Sequence, residues 1–293
     1  MVAAGVFAKK RFCIKPYLFV LPMLLFAVVF VYYPFFRTFL NGFSLVNAQG
    51  RLLRYTGLDN FRYLFGRREF ASALGNTLML TTVNVPVTVV LSLTLAVIAA
   101  KKRTLSPLYE TLFSLPMAVS MATAALIWKT MFNPTVGIVN RLLGTELGWF
   151  ESRDTALGTL LTLTVWMGVG FNFLVFLSAL RGISPDTVGA AQVDGAGRFQ
   201  VFWHIRLPAI APSVVYVASS NAVLALMTSG PVMIITQGGP SRATSTLIYM
   251  MYTSGYASGN DSLAACVSLV TFALTFAFTF LLLFLERDKV RGL

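Results

Sequence analysis

Residues 189–208 read GAAQVDGAGRFQVFWHIRLP. The stretch lies between two long apolar runs, yet it carries Asp194, Arg198, Arg206 and the chain's single histidine, His204, with glycines at 189, 195 and 197. Just upstream, Ser184 followed by Pro185 can open a helix at its first turn, which Ala190, Ala191, Gln192 and Val193 continue. Gly195 can take the positive φ that ends it. Residues 198–206 read as a second helix, with Phe199, Phe202 and Trp203 on one face through three- and four-residue spacing. Leu207-Pro208 ends this piece and starts the next apolar run. A semi-polar helix-turn-helix over 185–208 is either a compact knob for a partner to grip or an amphipathic connector lying on lipid headgroups. These residues by themselves leave both readings open.

The chain around it is 56% hydrophobic and 12% charged over 293 residues, too little charge to cover a water-soluble domain of that length. Six apolar segments recur, at roughly 16–40, 74–100, 108–132, 157–180, 209–235 and 263–285. At about 1.5 Å per residue each can cross a bilayer as a helix. Helix is required there because lipid satisfies no backbone polar group. The segments are continuously apolar, not alternating, which excludes a strand barrel. The expectation is an all-α polytopic membrane protein: one transmembrane domain over 1–293, six transmembrane helices and the helix-turn-helix of 185–208 between the fourth and fifth. The first segment is too long for a signal-peptide core and lacks a small-x-small cleavage site, so it reads as an uncleaved span.

Charge sets the orientation. Thirteen Lys and Arg fall in 1–15, 101–107, 181–208 and 286–293, including the tight KKR at 101–103, and eight fall in the loops on the other side. Positive residues collect on the cytoplasmic side, so both termini and residues 185–208 are expected there. The net charge of +12 is read in the same way, with no nucleic-acid partner. Cys13 and Cys266 lie far apart in apolar sequence and read as packing residues. One histidine and two cysteines make no metal site. Among the outer loops, a short helix is expected after Asn60.

Several chemistries are missing. There is no G-x-x-x-x-G-K-[ST] loop to cradle a nucleotide's phosphates, no G-x-S-x-G and no H-E-x-x-H. The chain is therefore read as carrying no catalytic residues and no cofactor. Glu110, Lys129 and Arg37 sit near span ends, and no acid stands at mid-bilayer as a self-powered carrier would place one. A membrane path without an engine needs a partner that supplies energy. A self-sufficient carrier or channel and a receptor's membrane anchor are the readings from other classes.

The opening stretch resembles the cytoplasmic EAA loop of permease subunits in bacterial ATP-binding cassette importers, with the pattern E-A-A-x-x-D-G-A-x(8)-I-x-L-P. Ala190, Ala191, Asp194, Gly195, Ala196, Ile205, Leu207 and Pro208 match it at the right spacing, and Gly189 replaces the glutamate. KPYLFVLPMLLF near the start, GLDNF at 57–61, NPTVGIVN at 133–140 and TQGGPSRATSTLIYMMY at 236–252 are similar to the carbohydrate-uptake branch, closest to first permease subunits of the maltose and glycerol-3-phosphate types. The resemblance implies an importer permease in the bacterial inner membrane for a sugar or related polyol, or else a phosphorylated polyol. It implies a second homologous permease, two cytoplasmic ATP-binding subunits that hydrolyse ATP, and an external solute-binding protein. The matching residues, with Phe202, become the ATPase-coupling site. Within the spans, Asn84, Trp166, Asn172 and Asn221 are candidates for the solute path: amides hydrogen-bond hydroxyls in both directions, and an indole stacks on a sugar face.

Overall fold

The computed structural model describes residues 15–47 and 49–290, with side chains from 18 to 284. Cys13 and most of the terminal charges that place the two ends lie outside the described residues. Among the described residues, four helices are long and apolar enough to cross a membrane, or six if each of two bent pairs counts as one span.

Helix α1 (15–42) stands where the first span is expected. Its middle widens into a π-turn, Val28–Tyr32. Pro34 explains this: its ring would strike the carbonyl of Phe30, four residues back, and a wider turn moves that carbonyl away. A two-stranded antiparallel hairpin follows, β1 (Ser44–Val46) and β2 (Leu52–Tyr55), then α2 (Asp59–Phe65) at the short helix expected after Asn60. The Asn60 amide ties the hairpin to the end of α1 by donating to the carbonyls of Gly42 and Ser44 at 3.1 and 2.9 Å. Helix α3 (Arg68–Ala99) begins six residues before the expected second span.

Two expected spans are not continuous helices. The segment 108–132 is α4 (Ser106–Ala118) and α5 (Met121–Met131), bent by 100°. Leu115-Pro116 tightens the end of α4 into a 3₁₀ turn, Val119 is extended, and Ser120 caps α5 by accepting from the Thr123 N–H at 3.2 Å. A proline and a capping serine four residues apart make two helices out of an unbroken apolar run. The segment 209–235 is likewise divided. Helix α10 (Ala211–Leu226) stops before Thr228-Ser229-Gly230-Pro231, and a separate short helix, α11, covers 230–236. Helices α6 (Ile138–Leu143), α7 (Ala156–Arg181), α8 (Pro185–Val193) and α9 (Arg198–Ala209) lie between α5 and α10, and α12 (247–257) and α13 (Asp261–Val290) close the chain.

Helix α7 is the axis of the packing. Helix α3 runs along it, α10 packs against α3, α7 and α13, and α1 lies against α13. Two glycines set how close α7's neighbours come. A Cβ at Gly168 would lie 2.9 Å from Thr88 Cγ2 on α3 and 3.2 Å from Asn221 Oδ1 on α10. A Cβ at Gly170 would lie 2.9 Å from the Met117 nitrogen, at the α4–α5 bend. Small residues at helix contacts let backbones approach where lipid gives no hydrophobic drive. The apolar window of α1 has none of its length buried inside the chain, as expected of a helix facing lipid.

Candidate functional site

The segment after α7 is built as its sequence suggests, with one correction. Ser184 caps α8, its hydroxyl accepting from the Asp186 N–H at 3.3 Å. Gly195 has φ +85°. The N–H of Gly195 donates to the Gln192 carbonyl at 3.1 Å and that of Ala196 to the Ala191 carbonyl at 2.9 Å. This paired closure is a Schellman motif, and it satisfies carbonyls that a helix end would otherwise leave open. Gly197 then leads into α9, with its N–H held by the Gln200 side chain at 2.8 Å. The correction concerns Leu207 and Pro208, which do not end this helix: α9 continues to Ala209 and bends by 67° into α10 at Ile210. As in α1, a π-turn (Phe202–Arg206) precedes the proline and contains the carbonyl its ring would strike. Ala190, Asp194 and Gly195 are exposed, and Ala191, Ala196, Phe202, Ile205, Leu207 and Pro208 are half-buried. Phe199, Trp203 and Val193 are exposed to solvent, with Phe199 and Trp203 in ring contact at 5.9 Å, while the neighbouring Val201 is buried against the rest of the chain.

The root of this segment is pinned by a contact that the sequence reading missed. Arg181, the last residue of α7, makes a two-pronged pair with Glu110 on α4, at 2.5 and 3.2 Å. The same guanidinium donates to the carbonyls of Ala99 and Ala100 at 3.1 and 3.4 Å, which closes the end of α3. One side chain thus joins three helices three residues before the α8 cap. The signal available in sequence was weak: a lone acid and a lone base at the ends of separate apolar runs.

The solute-path candidates divide. Asn84 on α3, Asn172 on α7 and Asn221 on α10 are all buried; Thr88, Asn172 and Asn221 come together around Gly168, and the Thr88 hydroxyl donates to Asn84 Oδ1 at 3.4 Å. Asn84 donates to the Thr164 hydroxyl at 2.8 Å, and Asn221 donates to the Val217 carbonyl of its own helix at 2.7 Å. The Asn172 amide nitrogen, 2% exposed as a residue, meets no acceptor among the described residues. Trp166 is not part of this group. Its ring lies 4.8 Å from that of Trp128, beside an apolar cavity of ≈ 510 Å³ that also takes in Leu91, Leu112 and Val169. Two residues along α7 turn Trp166 away from Gly168, towards the bent pair. The G-V-G at 168–170 was the readable sign of this crossing.

At the opposite end, the quoted loop motifs act as staples. Asn133 Oδ1 accepts from the N–H groups of Thr135 and Val136, and Asn140 joins Pro134, Leu147 and Trp149. The TQGGP segment carries positive φ at Gln237, Ser241 and Arg242 and is held to α3 by Asn76, which donates to the carbonyls of Arg242 and Ser245. Burial raises the Tyr249 phenol above its ordinary range, and its hydroxyl donates to the Gln237 carbonyl at 2.7 Å. Gln237, Ser245 and Tyr249, with the Glu69–Arg242 pair at 3.0 Å, border a cavity of ≈ 390 Å³.

The chain matches the family described as "Binding-protein-dependent transport system inner membrane component" over residues 92–291. It is 33% identical over 264 residues to the sn-glycerol-3-phosphate transport system permease protein of Pectobacterium atrosepticum, covering 88% of this chain and 89% of the relative. To its counterpart in Yersinia enterocolitica it is 34% identical with the same coverage. Among solved structures, a chain of a bacterial ABC transporter involved in the import of the acidic polysaccharide alginate superposes with a TM-score of 0.80 at 21% identity, covering 94% of this chain and 97% of that one. At that identity the likeness shows the fold.

Proposed function

Since this chain belongs to the family of binding-protein-dependent transport system inner membrane components, we propose that it forms half of the translocation path of an ATP-driven importer for a sugar or related polyol. It is a transport subunit and not an enzyme, and ATP hydrolysis belongs to a separate subunit. In this proposal it pairs with a second, homologous permease and two cytoplasmic ATPases. A solute-binding protein docks at the end carrying the hairpin and residues 230–260. Both termini and residues 185–208 face the cytoplasm.

The observation that carries the proposal is the exposed turn at 192–195, closed by hydrogen bonds from Gly195 and Ala196, between two short helices. Its stiffness suits a lever. ATP binding would close the ATPases on the knob formed by Ala190, Ala191, Asp194, Gly195, Ala196 and Phe202, with Ile205, Leu207 and Pro208 passing the movement into α10. A two-state rocking of packed helices then exposes the path to alternate sides. Gly189 removes one ionic contact from this surface and leaves its shape in place.

Asn84, Asn172 and Asn221 are proposed to meet the solute, and Trp166 to pack the wall behind them. A group of amides and hydroxyls with no cation suits a neutral, hydroxyl-bearing solute. A second reading, a phosphorylated polyol such as glycerol-3-phosphate, is favoured by the names of the relatives. It would need a cation from the partner permease. The test is uptake by the reconstituted complex of labelled sugars and polyols, with glycerol-3-phosphate as competitor. Uptake in the absence of the ATPases would refute the importer reading, and strong competition by glycerol-3-phosphate would select the second solute class.

A further inference from the structure

Beside the coupling segment lie two adjoining cavities, of ≈ 600 and ≈ 470 Å³, that share Val97, Lys101, Gln192 and Arg206. The second is bordered by four cations, Lys101 and Arg103 from the turn after α3 and Arg198 and Arg206 from α9. No carboxylate borders either cavity among the described residues. We propose that the second cavity binds the headgroup of an anionic phospholipid of the cytoplasmic leaflet, wedged between the end of α3 and the coupling segment. This rests on the orientation proposed above.

Three observations carry it. The turn holding two of the cations is preformed: the Ser106 hydroxyl accepts from the Arg103 N–H at 2.7 Å and lies 2.6 Å from the Tyr109 hydroxyl. The negative end of a helix normally repels an anion, but here Arg181 occupies the carbonyls of Ala99 and Ala100, so the end of α3 is already neutralised. Apart from Gln192, the cavity's remaining wall is apolar, from Val97, Ile98, Val201 and Phe202. Ile98 is 59% exposed and continues a stripe of exposed apolar side chains on α3 through Leu91 and Val87. A phosphate held by the four cations would therefore send its acyl chains along a face already suited to lipid. A soluble anion has no use for that stripe, and basic pockets at the cytoplasmic ends of spans are recurrent headgroup sites.

The experiment purifies the whole complex into phosphatidylcholine nanodiscs doped with labelled phosphatidylglycerol and measures retained label by native mass spectrometry. Wild type is expected to enrich phosphatidylglycerol over the bulk. The Lys101→Gln/Arg103→Gln double variant, whose changes lie outside the coupling segment, should lose retention by about thirtyfold, given the share each basic side chain contributes at an anionic surface. The charge-keeping pair Lys101→Arg/Arg103→Lys should retain the label. Equal retention in all three overturns the proposal. So does displacement of the label by inorganic phosphate, which would make the site one for a soluble anion. Loss of ATPase association with lipid retention unchanged also overturns it, because the cations would then face carboxylates of the ATPase. Absence of ATPase-driven uptake by the wild-type complex, with selective retention intact, would count against the importer reading and leave this one standing.

Discussion

Removing the Arg181 guanidinium should loosen the junction on which the coupling segment is mounted, and the structure sets the size of the effect. Arg181 and Glu110 are 25% and 24% exposed, so the pair is screened less than a surface ion pair and more than a core one. Exposed pairs contribute about 0–1 kcal/mol, and breaking a fully buried pair costs about 3–5 kcal/mol. The two-pronged geometry supports an intermediate figure of about 2 kcal/mol for Glu110→Gln. Arg181→Gln also orphans the carbonyls of Ala99 and Ala100, adding about 1 kcal/mol after water takes up part of the loss. The double variant should cost little more than Arg181→Gln alone, giving a coupling energy of about 2 kcal/mol between the two positions. Arg181→Lys, with one compact charge and no fork, should recover only part of the loss. The assay is a double-mutant cycle on the unfolding midpoint of the purified protein in detergent–SDS titration. Additive single effects would refute the reasoning, since the pair would then contribute nothing as a pair.

Other consequences are sharp enough to test. Gly195 has open space around it, so Gly195→Val should cost about 1–3 kcal/mol from the backbone alone and abolish ATPase co-purification, whereas Gly195→Asn, which tolerates a left-handed backbone, should be nearly silent. Ala190→Asp should still insert but lose the ATPase, as pull-down would report, because it buries an unpaired charge in the docked surface at a cost of about 1–3 kcal/mol or more. Gly168→Ala places a methyl 2.9 Å from Thr88 and should depress uptake, while Gly158→Ala in the same helix, with nothing within 4 Å, should leave it unchanged. The purified single subunit should show no ATP binding by equilibrium dialysis in the micromolar range.

Which parts of this architecture were legible follows from what apolarity encodes. A bilayer demands length and hydrophobicity, so α1, α3, α7 and α13 could be read to within a few residues at most of their ends. The backbone of the segment proposed for coupling was legible for the opposite reason. Its glycine, its proline and its capping serine each have a backbone consequence that survives tertiary context, and φ +85° at Gly195 realises one of them. The bends were not legible, because an apolar run reads the same whether it crosses lipid straight or turns back within it. Leu115-Pro116 and Ser120 mark the break between α4 and α5, but Pro86 lies inside the unbroken α3. Proline alone therefore does not decide. What distinguishes the two is the neighbour: the bend at 116–120 fits against Gly170, which offers no side chain in its way. The Asn84, Asn172 and Asn221 grouping could be guessed residue by residue, but its centre, Gly168, contributes only an absence of atoms.

In the proposed mechanism the segment 185–208 would move α10 without being part of it, and its build supports that role. A lever needs a rigid arm and a compliant joint. The arm is closed by the Gly195 and Ala196 hydrogen bonds at one end and by the Ser184 cap at the other. The joint is the π-turn at Phe202–Arg206 with Pro208 behind it and the 67° bend at Ile210. Pro208 withholds one backbone donor and Pro212 another, so fewer helical hydrogen bonds span the joint than in an uninterrupted helix. Rotation there breaks less than rotation elsewhere, whereas Arg181 holds the near side of the arm to α3 and α4. On that proposal, displacement applied at Ala190–Ala196 would be directed into α10, and through it to Asn221 beside Gly168.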